Sequence, residues 1–292
     1  MPKYHISCDC ASYDWTRRKP RSGLFMRCRG CHKILGPMQV SMYRETKKAP
    51  ARIMVVGDIH GDFLFLNKLI KEKKPDLLIS CGDFGWWPKC HDTEGMISSP
   101  TTSRTWKLFG AIENGDCKIL FAPGNHEDWD ALDKIEASGN TEVMPNIFYM
   151  PRGSVYTLED GRNILFFGGA ESIDKARRTQ GVSWFPQEVA TQKDIFLLDK
   201  IKHKIDIVVS HTCPTLFSQM DAEFPEKMKD PTRRILDYIL TTFKPELWVF
   251  GHYHTFLEGN SMECRFTCLD MFREYCCWKW LENVSPNKLT IV

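Results

Sequence analysis

The sequence predicts an α/β fold, and three observations carry that prediction. Five apolar runs of strand length lie between residues 53 and 250. Stretches with apolar residues at helical spacing separate several of them. Each of the five runs is followed at once by Asp, Asn or His, in places behind a Gly or Pro-Gly turn. Continuous apolar runs mark strands buried on both faces, and in α/β sheets ligands bind in the crevice beyond the strands' carboxyl ends. Five strands delivering this residue set to one edge predict a single polar, metal-binding crevice.

Residues 1–48 stand apart as a Cys-rich, basic segment without long apolar periodicity. Cys8-Asp-Cys10 and Cys28-Arg-Gly-Cys31 are each close enough for one loop to supply two thiolates, which suits a tetrahedral structural Zn²⁺. Unpaired structural cysteines are the other reading. Residues 1–50 carry eleven Lys or Arg against three acidic residues, so the net charge of +2 hides a basic head on an acidic body. Nucleic-acid phosphates are one partner for such a segment; a solvated charged loop is the alternative.

The body, residues 49–292, opens with Arg52-Ile-Met-Val-Val-Gly-Asp-Ile-His-Gly61: a strand, a turn, then Asp58 and His60. Residues 63–74 have helical spacing and a basic last turn, stopped by Pro75. The second strand, Leu77-Leu-Ile-Ser-Cys-Gly82, delivers Asp83. A loop from 84 precedes a helix predicted over about 103–114. The third strand, Lys118-Ile-Leu-Phe-Ala122, delivers Asn125 and His126, and 128–138 reads as helix. Residues 146–168 read as β, with Glu159-Asp-Gly161 as a hairpin turn. A polar loop leads into a helix over about 187–203. The fourth strand, 206–210, delivers His211. A helix over 230–242 has Pro231 in its first turn. The fifth strand, Leu247-Trp-Val-Phe-Gly251, delivers His252 and His254. A hairpin turn near Glu258-Gly-Asn260 and a strand near 266–269 finish the core. The tail, Cys276-Cys-Trp-Lys-Trp280, is read as packing against the body.

With 292 residues, 42% apolar and 26% charged, the chain has the composition of a globular protein. No apolar run approaches the ~20 residues of a membrane span. The first residues hold no segment of signal-peptide type, so the expectation is a cytoplasmic protein whose twelve cysteines are mostly reduced.

Asp58, His60, Asp83, Asn125, His126, His211, His252 and His254 are too many ligand-type side chains for one metal. They suit two ions sharing a carboxylate, and the imidazole, carboxylate and amide mixture favours Mn²⁺, Fe or Zn²⁺. Gly57-Asp-Ile-His-Gly61, Gly82-Asp83, Gly124-Asn-His-Glu127, Ser210-His211 and Gly251-His-Tyr-His254 resemble, in order and spacing, the five motifs of the calcineurin-like metallophosphoesterases. That resemblance implies two mixed sheets sandwiched by helices. It implies one metal on Asp58, His60, Asp83 and His254, and a second on Asp83, Asn125, His211 and His252. His126 would protonate the leaving oxygen while a metal-bridging hydroxide attacks a phosphate ester.

Gly82-Asp-Phe-Gly-Trp-Trp-Pro88 departs from the Asp-Arg-Gly that the superfamily's protein serine/threonine phosphatases carry. The arginine that would grip phosphate is therefore absent from that loop. Ser172-Ile-Asp-Lys-Ala-Arg-Arg178, followed by Ser183-Trp-Phe-Pro-Gln-Glu188, resembles a segment of bacterial and phage phosphoesterases of unassigned substrate. It offers Arg178, or failing that Arg177 or Lys175, as the phosphate-binding cation, with a surface ion pair as the alternative. Trp86, Trp87 and Trp184 would wall the site or fill the core. The expected function is a phosphodiesterase acting on a nucleotide or nucleic acid. The alternatives are a phosphomonoesterase or protein phosphatase, or a metal-stabilised binding scaffold.

Overall fold

Two units divide the chain, Met1–Pro50 and Ala51–Val292. The computed structural model describes residues 15–18, 25–28, 34–35, 51–88, 112–224 and 229–281. In the first unit β1 (Trp15–Arg18), β2 (Phe25–Cys28) and β3 (Ile34–Leu35) form an antiparallel sheet in that order. Cys28 ends β2, in register with Trp15. Cys8, Cys10 and Cys31 lie outside the described residues.

In the second unit the element order is β4 (Ile53–Val56), α1 (Phe63–Lys73), β5 (Leu77–Ser80), β6 (Lys118–Phe121), α2 (Trp129–Ser138), β7 (Glu142–Met144), β8 (Ile147–Tyr149), β9 (Ser154–Thr157) and β10 (Asn163–Phe167). It continues with α3 (Gln192–Leu198), β11 (Ile207–Ser210), α4 (Ser218–Glu223), α5 (Thr232–Phe243), β12 (Leu247–Phe250), β13 (Leu257–Ser261), β14 (Cys264–Cys268) and β15 (Trp278–Trp280). They build two mixed six-stranded sheets, β15-β4-β5-β6-β8-β7 and β13-β14-β12-β11-β10-β9. Strands β4, β5, β6 and β8 run parallel, as do β10, β11, β12 and β14; the outer strands pair antiparallel.

Alternation along the strands explains the layering. Ile53, Val55, Leu77, Ile79 and Leu120 of one sheet share a buried cluster with Ile164, Phe166, Ile207, Val209 and Val249 of the other. The intervening side chains face outward. Met54, Val56, Leu78, Ile119 and Phe121 pack with Leu66, Leu69 and Ile70 of α1 and with Leu132 of α2. Leu165, Phe167, Val208, Trp248 and Phe250 pack with Ile235, Leu236, Ile239 and Leu240 of α5. The result is helix, sheet, sheet, helix. Each fully buried aliphatic side chain contributes about 1.5–3 kcal/mol relative to exposure.

Local signals start and stop the helices. Asp62 caps α1 by accepting from the Phe65 N–H at 3.0 Å, and Asp128 caps α2 through the Ala131 N–H at 3.1 Å. Lys74 and Gly139 end them in the left-handed conformation.

The structure corrects several expectations. The helix expected over 187–203 is confined to Gln192–Leu198, preceded by a 3₁₀ turn at Pro186–Glu188. Arg152 Nη2 donates to the carbonyls of Gln187 and Glu188 at 3.0 and 2.8 Å, and the Ala190 and Thr191 N–H groups donate to Thr232 Oγ1 and Asp194 Oδ2, so no helical ladder forms there. A capping box at Thr191 and Asp194 starts the helix instead. The hairpin turn falls at Met262 and Glu263, with φ of 49° and 66°, while Glu258, Gly259 and Asn260 stay in β13 paired to Thr267, Phe266 and Arg265. The tail packs against the body as expected, as an edge strand, β15, antiparallel to β4. Of the helix expected over 103–114, residues 103–111 lie outside the described residues and 112–114 are irregular. Cys81, Cys117 and Cys213 are buried free thiols, as expected. No helix among the described residues is long and apolar enough to cross a membrane.

Candidate metal centre

The loops after β4, β5 and β6 of one sheet and after β11 and β12 of the other meet at their carboxyl edges. Asp58, His60, Asp83 and His254 bring one ligand atom each to within 4.8 Å of one another. His254 Nε2 is 3.0 Å from Asp58 Oδ2 and 3.1 Å from His60 Nε2, and His60 Nε2 is 3.7 Å from Asp83 Oδ2. A second group forms around His211 Nε2: Asn125 Oδ1 at 3.0 Å, His252 Nδ1 at 3.2 Å and Asp83 Oδ1 at 3.3 Å. Asp83 therefore faces both groups, one oxygen to each.

The backbone accepts strain to achieve this. His60, Asp83, His252 and His254 all adopt positive φ, between 42° and 69°, a conformation that is uncommon for residues other than glycine and clusters at functional sites. Two glycines allow the close approach. A Cβ on Gly124 would stand 2.0 Å from Asp83 Oδ1, and one on Gly251 would stand 2.1 Å from Asp58 Oδ1.

The electrostatics suit cations. Burial opposes ionisation of Asp83 and Asp58, but His211 and the neighbouring histidines outweigh it and hold both below the usual carboxylate range, Asp83 well below. Burial likewise opposes charge on His211, yet Asp83 and Asp58 push it up to about 9. His211 Nδ1 lies 3.1 Å from the Cys81 carbonyl, which can only accept, so Nδ1 carries a proton. With Nδ1 protonated, a cation that displaced the Nε2 proton would meet the Nε2 lone pair at the point where Asp83, Asn125 and His252 converge. Carboxylate, amide and imidazole donors packed this tightly fit a pair of divalent cations.

His126 stands beside the centre, its Nε2 4.0 Å from Asp83 Oδ2. Its N–H donates to Asp83 Oδ1 at 2.9 Å and its carbonyl accepts from the Trp87 indole at 2.9 Å. Burial pushes its imidazole down to about 3, against the pull of Asp83. Glu127, pushed up to about 8 by burial, accepts from the Gly85 and Gly124 N–H groups and ties two ligand loops together.

The calcineurin-like phosphoesterase model matches residues 51–256. The chain belongs to the calcineurin-like phosphoesterase family. Members of this family are metal-dependent phosphoric ester hydrolases, and the convergent donor set is the arrangement such an enzyme uses. Among calcineurin-like phosphoesterases, the chain is similar to the lariat debranching enzymes of Schizosaccharomyces pombe and Gallus gallus. Identity to the first is 29% over 237 residues, covering 73% of this chain and 50% of that protein. Identity to the second is 26% over 234 residues, covering 70% and 42%. The chain thus spans about half the length of the curated relatives it matches, or less. The solved phosphopantetheinyl hydrolase of Mycobacterium tuberculosis is 17% identical with a TM-score of 0.43, covering 82% of this chain and 98% of that one.

Of the predicted substrate-binding cations, Arg178 alone lies at this phosphoesterase centre. Its Nη2 is 3.1 Å from His126 Nε2 and 2.6 Å from Asp174 Oδ1, and its side chain is 5% exposed. Its Nε and Nη1 are buried without a hydrogen-bond partner among the described residues. Arg177 is exposed, and Lys175 pairs with Glu171. Trp86 and Trp87 are buried in the core, and Trp184 donates to Glu188 Oε1 at 2.9 Å.

Sequence reasoning passed over the supports of the loop carrying Arg178. Arg152 sits far from any motif and Glu188 at the end of the resembling segment, and only the fold brings them together. Burial pushes the Glu188 carboxyl up to about 7, partly offset by the N–H groups it accepts and by Arg178. A carboxyl whose folded pKa is raised loses stability as pH climbs from its ordinary 4.5 through 7. Glu188→Gln cannot ionise, so with metals chelated its stability relative to wild type should rise by on the order of 2 kcal/mol between pH 5 and pH 8. Urea unfolding at the two pH values measures this; an equal difference at both would contradict it.

Proposed function

We propose that the chain hydrolyses a phosphodiester bond of RNA, using two divalent cations that would both be held by Asp83. The observation that carries this reading is the pair of donor clusters sharing that one carboxylate. Asp58, His60, Asp83 and His254 would hold one cation, and Asp83, Asn125, His211 and His252 the other. Mn²⁺, Fe or Zn²⁺ suits these donors. When bound, such a pair neutralises phosphoryl charge and brings the pKa of a shared water toward neutrality.

The chain's own residues do the rest. Arg178 binds a non-bridging phosphate oxygen through its buried, unpartnered Nε and Nη1. In the substrate-free geometry Arg178 can only donate, so His126 Nε2 accepts and the imidazole is neutral. An anionic substrate draws the guanidinium to itself and favours the imidazolium. His126 Nε2 then gives its proton to the departing ribose oxygen. The preference for a diester rests on Phe84-Gly-Trp-Trp-Pro88, which holds no Asp-Arg-Gly of the kind that follows this motif in a protein phosphatase, and on the similarity to lariat debranching enzymes. The branch of a lariat is accordingly the first natural substrate to try. In the N-terminal unit, Cys8, Cys10, Cys28 and Cys31 would hold a structural Zn²⁺ on the strength of their spacing. The basic residues around them would contact RNA phosphates.

The test compares bis-p-nitrophenyl phosphate and a branched RNA with p-nitrophenyl phosphate, each with Mn²⁺. Cleavage of the diesters with little monoester turnover is expected; monoester turnover alone would overturn the reading. Arg178→Ala should raise KM for the diester about 10- to 100-fold, the worth of one or two charge-assisted hydrogen bonds. Arg178→Lys should recover only part of that, because an ammonium lacks the planar fork.

A further inference from the structure

Building on the two-cation reading, we propose that Ser172 is a positioning residue that decides which end of the Asn125 amide faces the metal centre. A primary amide has an accepting end and a donating end of nearly the same shape. Only the oxygen can ligate a hard cation, and Asn125 has no internal preference for turning it inward.

The structure supplies that preference from outside. Asn125 Nδ2 donates to Ser172 Oγ at 3.1 Å, which leaves Oδ1 at 3.0 Å from His211 Nε2. Ser172 is 1% exposed and has little freedom. Its N–H donates to Glu188 Oε1 at 2.6 Å, which sets its hydroxyl beside the Glu188 carboxylate. An ionised carboxylate only accepts, so it draws the hydroxyl proton to its side. The lone pairs of Oγ are then what Asn125 meets, and only the NH₂ end of its amide satisfies them. An inverted amide would set oxygen against oxygen.

Glu188 is fixed in turn. Its Oε1 also accepts from the Trp184 indole at 2.9 Å. Arg152 binds the carbonyls of Gly168, Gln187 and Glu188 at 2.8 to 3.0 Å and so clamps both ends of the loop that carries Ser172. The same loop sets Arg178 against His126. Two neighbouring residues of one motif, Asn125 and His126, are thus each met by a side chain of this loop.

Mn²⁺ titration calorimetry on four proteins tests the proposal: wild type, Ser172→Ala, Asn125→Asp and the double variant. Ser172→Ala should weaken one of the two ions about tenfold or more and leave the other unchanged, as loss of an outer hydrogen bond to a ligand does. In the Asn125→Asp background both terminal atoms are oxygens and orientation no longer matters. There Ser172→Ala should change affinity by no more than about twofold. Equal losses in both backgrounds would show a general structural role and overturn the proposal, as would wild-type affinity in Ser172→Ala. Asn125→Ala separates this from the larger reading. If it retains both ions at wild-type affinity, Asn125 is no ligand and both fall. If it loses one ion while Ser172→Ala loses nothing, the positioning role alone falls.

Discussion

Asp83→Asn should lower metal-dependent turnover by about 10³-fold or more, because the several kcal/mol that a cation pair contributes to the transition state depend on that bridge. The substitution keeps the shape of the side chain but leaves it one oxygen. In the native arrangement Oδ1 faces His211 Nε2 at 3.3 Å and Oδ2 faces His60 Nε2 at 3.7 Å, so each oxygen serves a different cluster. An amide cannot serve both. Calorimetric Mn²⁺ titration should show two ions in wild type and at most one in the variant, with an unchanged far-ultraviolet circular dichroism spectrum. The same protein separates catalysis from recruitment: a scaffold that binds RNA through its basic N-terminal unit keeps that binding when the cations are lost. Turnover within tenfold of wild type would remove Asp83 from the centre of the mechanism.

His126→Gln should lower kcat about 10²- to 10⁴-fold on a ribose leaving group, the usual worth of a positioned acid. The loss should shrink on p-nitrophenyl esters, whose leaving oxygen departs without a proton. His126 lies outside both donor clusters, so the number of bound ions should stay at two. Its backbone is held by Asp83 Oδ1 and by the Trp87 indole, contacts that glutamine retains. A loss of the same size on both kinds of ester would mean that His126 does something other than protonate the leaving oxygen.

The ligand set was legible in the sequence because strands buried on both faces leave a plain apolar signature, and the residues just past them are the ones an α/β edge offers to a ligand. The conformation of those residues was not. His60, Asp83, His252 and His254 lie at positive φ, where local preference argues against them, and only the packed sheets hold them there. The short helix α3 was overread for a related reason. The chain just upstream bonds to distant partners instead: Arg152 donates to two of its carbonyls and Thr232 Oγ1 accepts the Ala190 N–H. Trp278, Lys279 and Trp280 do alternate apolar and charged, but three residues are too short a run to mark a strand, and all three are half-buried at the edge of the sheet. Arg178 was legible as a cation near the site, whereas its contact with His126 depends on a loop whose anchors, Ser172 and Glu188, follow no sequence period.

Anomalous diffraction from crystals grown with Mn²⁺ tests the central claim most directly. The account predicts two peaks per chain about 3.5–4 Å apart. One should lie among Asp58, His60, Asp83 and His254, and the other among Asp83, Asn125, His211 and His252, with Asp83 touching both. A single peak, or peaks that do not involve Asp83, would contradict it.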